Sequence, residues 1–594
     1  MQKIYYGGDI ITMCETGGSE TMMENAPEAV LVSDGRIAYV GSFQEAKKRG
    51  FSAILGLEGE KSLTTAGSLE TAGSLGTGSS LEPELINLQG KTLMPSFIDP
   101  HGHISLAAQY TAFCDLSECT GFDEIVQCLK KYQEEHQIQE DGVIMGQGYD
   151  HNFLKEQEHP SKYVLDQVSE SIPVCILHTS GHMCVVNSAL LKQVGIGLET
   201  KDPEGGRYGR DEDGSPNGYL EEVPAMQPVL MWAFSRIKMD FAKQMRDAQQ
   251  IYLKYGITTA QDGATGYQAL RGLAALAKQQ IYEIDVVSYV MAQEFEQAVK
   301  DYSSYNRKYQ NHFKIAGGKL VLDGSPQGKS AWLSEPYEGE STYCGYPAYQ
   351  TEEVEKVLTN AVAGSCQILA HCNGDDASEQ FLTCYENALE HCGYHSSEEK
   401  KKAGEALRPV MIHCQTVRND QLDKMAELSM IPSIFAAHTW YWGDVHLKNL
   451  GTVRGNHISP AKSALEKGLI YNFHQDTPVI APDMMKTVWC AVNRQTRSGQ
   501  SIGPDERISV YDALKGITIH AAYAYHEEDK KGSIEKGKLA DLVILDANPL
   551  KVKPLELKNI RVLQTIKEGK ILYRYQQNVD CSRCADGSSD KNKL

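Results

Sequence analysis

Two histidines one residue apart, His101 and His103, carry the strongest chemical signal in this 594-residue chain. They lie in Met94-Pro-Ser-Phe-Ile-Asp-Pro-His-Gly-His-Ile-Ser105, where Phe97 and Ile98 read as the end of a buried strand. Side chains two apart on a strand share a face, so the pair can aim two imidazoles at one point. Gly102 between them removes steric bulk. A borderline metal such as zinc asks for such a chelating pair. A bare His-x-His is also a common pair of loop histidines. Further ligand-type residues downstream, each at a strand end, make the metal the better reading.

Lys319 sits in the apolar run Ala316–Leu322, with Asp323 at its end. A lysine there is costly unless it is neutralised, paired or modified. A snorkelling lysine at a strand start fits the spacing equally well. His371, in Ile368-Leu-Ala-His-Cys-Asn-Gly-Asp375, and His413, in Val410-Met-Ile-His-Cys-Gln415, each end a strand run. Either alone fits a satisfied core histidine; two of them beside His-x-His favour a metal cluster. Asp476, in Tyr471-Asn-Phe-His-Gln-Asp-Thr-Pro478, offers a carboxylate able to touch metal and substrate and to pass a proton. Its bland alternative is a helix N-cap.

Four more positions complete the set. His178 and His182, in Leu177-His-Thr-Ser-Gly-His-Met-Cys-Val-Val-Asn187, can orient a substrate carbonyl or act as structural hydrogen-bonders. His438 ends a strand run ahead of Trp440, Tyr441 and Trp442, aromatics that either wall a pocket or pack a lid, and it joins Asp476 and His413 as an expected catalytic residue. Arg494 can pair with a substrate or with Asp323. Tyr149, Asp150, His151, Glu221 and Glu222 are loop candidates for the pocket, with plain surface as the alternative.

The elements that would position these residues alternate. From 93 to 533, apolar strand runs (142–146, 174–177, 258–262, 284–291, 314–322, 367–370, 410–412, 432–436, 469–473) are interleaved with helical periodicity at 123–137, 241–255, 351–362, 378–391 and 420–428. This α/β alternation predicts a (β/α)8 TIM-like barrel, whose chemistry falls at the C-terminal strand ends. An open doubly wound sheet competes, but no Gly-x-Gly-x-x-Gly follows the first strand. Residues 1–92 and 534–578 read as short strands with hairpin signals at Asp34-Gly35 and Glu568-Gly569, and we expect them to join as one β-sandwich. A Gly/Ser/Thr-rich repeat at 61–80 reads as a disordered insertion, and 579–594 as a polar tail. The tail holds Cys581 and Cys584, a lone Cys-x-x-Cys without a partner pair.

Composition excludes several classes. Lys and Arg number 58 against 78 Asp and Glu, a net charge of −20 with no basic run, which argues against nucleic acid and anionic membranes as partners. No run of about 18 apolar residues is present, and the opening residues lack the apolar core of a signal peptide. Fifteen cysteines without a framework suit reduced thiols, so a cytoplasmic protein is expected.

Taken in order, these motifs resemble the metal-dependent amidohydrolase superfamily, in particular family 3 with its N-substituted formamide deformylase-like proteins. The resemblance runs from about residue 89 to 575 and includes Lys-Leu-Val-Leu-Asp-Gly-Ser-Pro-Gln-Gly, Ala491-Val-Asn-Arg-Gln-Thr-Arg-Ser-Gly499 and the closing Gly-Ser-Ile-Glu-Lys-Gly-Lys-Leu-Ala-Asp-Leu. It implies a barrel with a β-sandwich from both chain ends. It implies a divalent metal, zinc first, at one or two per chain: His101 and His103 on one ion, His371 and His413 on another. Lys319 matches a lysine that is carboxylated and bridges metals, and Asp476 matches the metal-binding proton shuttle. The implied reaction is attack of metal-generated hydroxide on a C–N amide-type bond (amide, formamide or cyclic imide) of a small molecule. An esterase or lactonase on the same site, or a silent regulatory scaffold, is the alternative. A homo-oligomer is compatible with the resemblance.

Overall fold

The computed structural model describes residues 2–14, 26–54, 82–237 and 240–576. The 61–80 repeat and the Cys581/Cys584 tail lie outside them.

Eight parallel strands, hydrogen-bonded in chain order, form one curled sheet: β1 Phe97–Ile98, β2 Ile257–Thr265, β3 Asp285–Met291, β4 Phe313–Val321, β5 Gln367–Cys372, β6 Val410–His413, β7 Ile431–Ile434 and β8 Asn472–Phe473. β3 and β4 are buried along nearly their whole length, as expected of strands covered on both faces. Helices such as Phe241–Lys254, Thr351–Ala363 and Asp375–His391 lie between successive strands and turn apolar residues to the sheet. The two short outer strands are joined by loops rather than by a ladder. The backbone N–H of His103, after β1, donates to the carbonyl of Thr477, after β8, at 2.7 Å.

The runs at 142–146 and 174–177 do form strands, Ile144–Tyr149 and Val174–His178, but not in this sheet. They belong to a separate six-stranded sheet built from the segment between β1 and β2. Val174–His178 pairs parallel with Ile144–Tyr149 across a crossover that carries the helix Lys162–Asp166, and on its other side it turns straight into Met183–Val186, which closes that side with an antiparallel partner.

Both chain ends contribute to two smaller sheets. One holds Arg36–Gly41, Ala29–Ser33, Gln2–Tyr6 and Glu84–Asn87; the other holds Asp9–Ile10, Thr92–Pro95, Leu542–Leu545, Val562–Lys567 and Lys570–Arg574. Tyr5, Val30, Leu93, Leu542 and Ile566 from the two sheets meet in one apolar cluster. Both expected hairpins form, with positive φ at Asp34 and Gly35 and at Glu568 and Gly569, as a two-residue turn of this kind requires.

Charge ties these ends to the bottom of the eight-stranded sheet. Asp285, at the start of β3, pairs with Lys531 and, at 2.7 Å, with Lys567; Lys567 also reaches Asp541 at 2.7 Å. Glu527 pairs with Lys531 at 2.9 Å and with Lys314 of β4 at 2.5 Å. Burial alone would raise the Glu527 carboxyl, but Lys531 and Lys314 outweigh it and hold the group at about 2, below its usual 4.5. A depressed folded-state value stabilises the fold above pH 4.5, and the contribution disappears as pH falls toward 2. Urea unfolding between pH 5 and 3 should therefore show a steeper loss for the wild type than for Glu527→Gln. At pH 7 that variant should be less stable by about 3 kcal/mol, because it strands buried lysines.

Candidate metal centre

The expected residues converge at the C-terminal ends of the parallel strands. His101 and His103 follow β1, Lys319 lies in β4, His371 in β5, His413 ends β6, and Asp476 follows β8. Asp476 Oδ1 stands 3.3 Å from His101 Nε2 and 3.1 Å from His103 Nε2, and Lys319 Nζ stands 3.2 Å from His101 Nε2. His371 Nδ1 faces His413 Nε2 at 2.9 Å. Glycine makes room for this crowding. A Cβ on Gly102 would sit 2.7 Å from Asp99 Oδ2, and one on Gly263 would sit 2.8 Å from the His101 ring.

The proton positions follow from the hydrogen bonds behind each ring. Gln261 donates its amide nitrogen to the Pro100 carbonyl at 2.6 Å and to the Tyr525 hydroxyl at 3.0 Å, which turns its Oε1 to His101 Nδ1 at 2.6 Å. His103 Nδ1 donates to the Gly263 carbonyl, also at 2.6 Å. Each ring thus carries its proton on Nδ1 and turns an Nε2 lone pair toward Asp476. Asp476 Oδ1 is buried and has no hydrogen-bond partner among the described residues. Two lone pairs and a carboxylate oxygen facing one another form a donor set for a cation, so the residues fit a divalent metal.

Electrostatics keeps most of the rings neutral. Burial, then the neighbouring Lys319, puts His101 well below the usual imidazole range and His371 at about 4. Burial and His371 do the same for His413. His103 is the exception. Burial lowers it, but Asp476 outweighs burial and raises it, so a proton and a cation compete for the same lone pair. Lys319 is 1% exposed, and burial lowers its ammonium to about 8 despite the nearby Asp476. His413 and Asp476 hold φ of +78° and +55°, a conformation costing non-glycine residues about 1–2 kcal/mol.

Other expected residues take different places. His438 and His182 line a cavity of about 580 Å³ that His371, His413 and Asp476 also border, with Phe435, Trp442, Tyr343 and Tyr346. His438 is backed by His446 at 3.0 Å, and His182 pairs with Glu222 at 3.1 Å. His178 also borders the cavity but is buried beside Asp150 and His151. Asp323 also lines the cavity, and it accepts backbone N–H groups of Trp332, Asn373 and Gly374 at 2.7–3.0 Å, which ties the loop after β4 to the loop after β5. Arg494 is 1% exposed and donates to the carbonyls of Ile458, Ser459 and Ile502. It makes no hydrogen bond to Asp323 and does not line the cavity: it is a buried strut under the loop, and an arginine in a polar stretch gave no sign of that. His474 was missed. It links Ser433 to His413 at 2.9 and 3.1 Å, and its spacing of two from Asp476 repeats that of His101 and His103. A larger opening of about 830 Å³ between the small sheets is far from this constellation and gathers no comparable group of ligand atoms among the described residues.

A model of the amidohydrolase family matches residues 84–573. The chain belongs to that family. It is 26% identical over 561 residues to N-substituted formamide deformylase of Arthrobacter pascens, covering 92% of this chain and 95% of the relative. It is 25% identical over 589 residues to YtcJ of Bacillus subtilis (strain 168), covering 96% and 99%. In fold it is similar to an uncharacterized metal-dependent hydrolase from Pyrococcus furiosus, with a TM-score of 0.68 at 22% identity over 93% of this chain and 100% of that one. A counterpart from Pyrococcus horikoshii has a TM-score of 0.69 at 23% identity, over 93% and 99%.

In this amidohydrolase the Gln261 amide is what aims the His101 lone pair. Gln261→Leu should weaken metal binding by roughly 10–100-fold in chelator competition, with little change in far-UV circular dichroism. An unchanged affinity would show that the ring needs no such support.

Proposed function

We propose that the protein is a metal-dependent amidohydrolase that cleaves a C–N amide-type bond (amide, formamide or cyclic imide) in a small molecule. The observation that carries this reading is the meeting of His101 Nε2, His103 Nε2 and Asp476 Oδ1 at the strand ends, where Asp476 also lines the cavity. These three would hold one divalent ion, zinc by preference, and His371 with His413 would help to hold a second. When bound, such an ion supplies Lewis acidity and makes water acidic near neutral pH.

The chain's own residues do the rest. Asp476, flanked by imidazoles, accepts a proton from the attacking water and returns it to the departing nitrogen. The wall of Phe435, Trp442, Tyr343 and Tyr346 thins the water around the acyl group. His413, held by His474, fixes the position of His371; His438, held by His446, presents a fixed ring to the cavity. Lys319, whose lowered ammonium gives a share of free amine, is suited to add carbon dioxide: the nitrogen forms the N–C bond, a proton leaves, and a carbamate replaces the cation beside the ligands.

The same reading takes the eight-stranded sheet as a (β/α)8 barrel and the two small sheets as a β-sandwich, supported by the loop contact between the strand-1 and strand-8 ends and by the shared apolar cluster. Every described cysteine is free, which supports a reducing, cytoplasmic setting, and no described helix is long and apolar enough to cross a membrane. The net charge of −20 favours a small-molecule substrate over nucleic acid.

The test is turnover of N-substituted formamides, simple amides and cyclic imides, with matched esters alongside, by metal-reconstituted protein. Amide turnover that chelation abolishes is expected, and Asp476→Asn should lower kcat on the order of 10³-fold. Preference for the esters would move the protein to an esterase or lactonase. Near-full turnover by Asp476→Asn with metal still bound would remove the proton shuttle from the mechanism.

A further inference from the structure

A second group of ligand-type atoms, Asp150, His151 and His178, lies at the six-stranded sheet, and His151 and His178 line the same cavity. Proximity alone would suit another metal ion. The hydrogen bonds place the protons differently from those at His101 and His103. The backbone N–H of Ser180 donates to His178 Nδ1 at 3.1 Å, so that nitrogen must carry a lone pair. A neutral His178 then holds its proton on Nε2, 3.2 Å from His151 Nδ1 and 3.5 Å from Asp150 Oδ1. His151 Nδ1 is therefore an acceptor, and the His151 proton lies on Nε2, at the opposite edge of the ring.

That edge is free to act. No described residue hydrogen-bonds His151 Nε2, the side chain is 27% exposed, and it lines the cavity. The ring plane is fixed by stacking on His159, with centroids 3.9 Å apart. Asp150, whose Oδ1 takes two hydrogen bonds from Asn152 at 2.9 Å, keeps a negative charge beside His178 Nε2–H. The turn is fastened to the loop after Asp476, because the Thr179 hydroxyl donates to the Val479 carbonyl at 3.1 Å.

We propose that Ser180 and His178 position His151 so that its Nε2–H donates a hydrogen bond to an oxygen acceptor on the substrate, across the cavity from Asp476. The identity of the substrate rests on the hydrolase reading above; the arrangement of protons does not.

Two measurements separate these. The first is a ¹H–¹⁵N spectrum of histidine-labelled protein, assigned with His151→Gln, which needs no turnover. A neutral His151 ring with its proton on Nε2 is expected. A proton on Nδ1, or a ring that loses its proton when zinc binds at Asp150, His151 and His178, overturns the proposal. The second compares N-phenylformamide with its 3- and 4-carbomethoxy derivatives. At least one ester-bearing probe should show a KM roughly tenfold lower than the parent, the worth of one neutral hydrogen bond. His151→Ala should erase that difference with kcat within about twofold, and His151→Gln, whose amide N–H can stand in for Nε2–H, should restore it. No advantage for either ester, or an advantage that survives in His151→Ala, counts against the proposal. Absence of turnover with every formamide would instead rule out formamides as substrates and leave the spectrum to decide where the His151 proton lies.

Discussion

The molecule is organised around acceptor atoms gathered at the strand ends with too few donors among them, a set that a proton or a metal cation can satisfy. Asp476 Oδ1 lies within 3.3 Å of two imidazole nitrogens that point lone pairs at it. Those lone pairs face inward because the opposite nitrogens are committed to Gln261 and to the Gly263 carbonyl. In water such a cluster would scatter. Here the backbone holds it, at the cost of left-handed conformations at His413 and Asp476.

Much of the fold serves that confinement. The ends of β1, β4, β5, β6 and β8 deliver side chains to a shared rim, so residues hundreds of positions apart meet there. Loops then lock the rim: Gly263 N–H to the Gly102 carbonyl at 2.8 Å, Ser105 N–H to Asp262 at 2.9 Å, and His103 N–H to the Thr477 carbonyl. The opposite end of the sheet is closed by the buried lysine–carboxylate network that draws in residues 527–567. Chemistry and stability thus occupy opposite ends of the same strands.

Several features were legible in the sequence for physical reasons. Strand runs ending in His371 and His413, and Asp-Gly and Glu-Gly between β-rich runs, each encode geometry locally; His101 and His103 lie past the end of β1, so strand alternation is not what brings them together. Other features depend on partners distant in the chain. A short apolar run looks the same in whichever sheet it joins, so nothing local separates Ile144–Tyr149 and Val174–His178 from the eight strands. Arg494 reads as a polar loop residue, and only the carbonyls of 458, 459 and 502 show it to be internal. His446 is invisible until the histidine it supports is seen, and His474 shows only a spacing of two from Asp476, because a supporting residue is defined by what it touches. Asp323 reads as an acid at a strand end; the structure sets it at the edge of the cavity and also gives its carboxylate three backbone N–H groups to hold.

The most direct test of the account is elemental analysis of the purified protein after reconstitution with zinc and bicarbonate, expressed as metal per chain. One or two ions per chain, lost when His101 and His103 are both replaced by alanine, are what the converging lone pairs predict. No bound metal under those conditions would contradict the account, leaving the cluster as a buried hydrogen-bonded scaffold without the chemistry assigned to it.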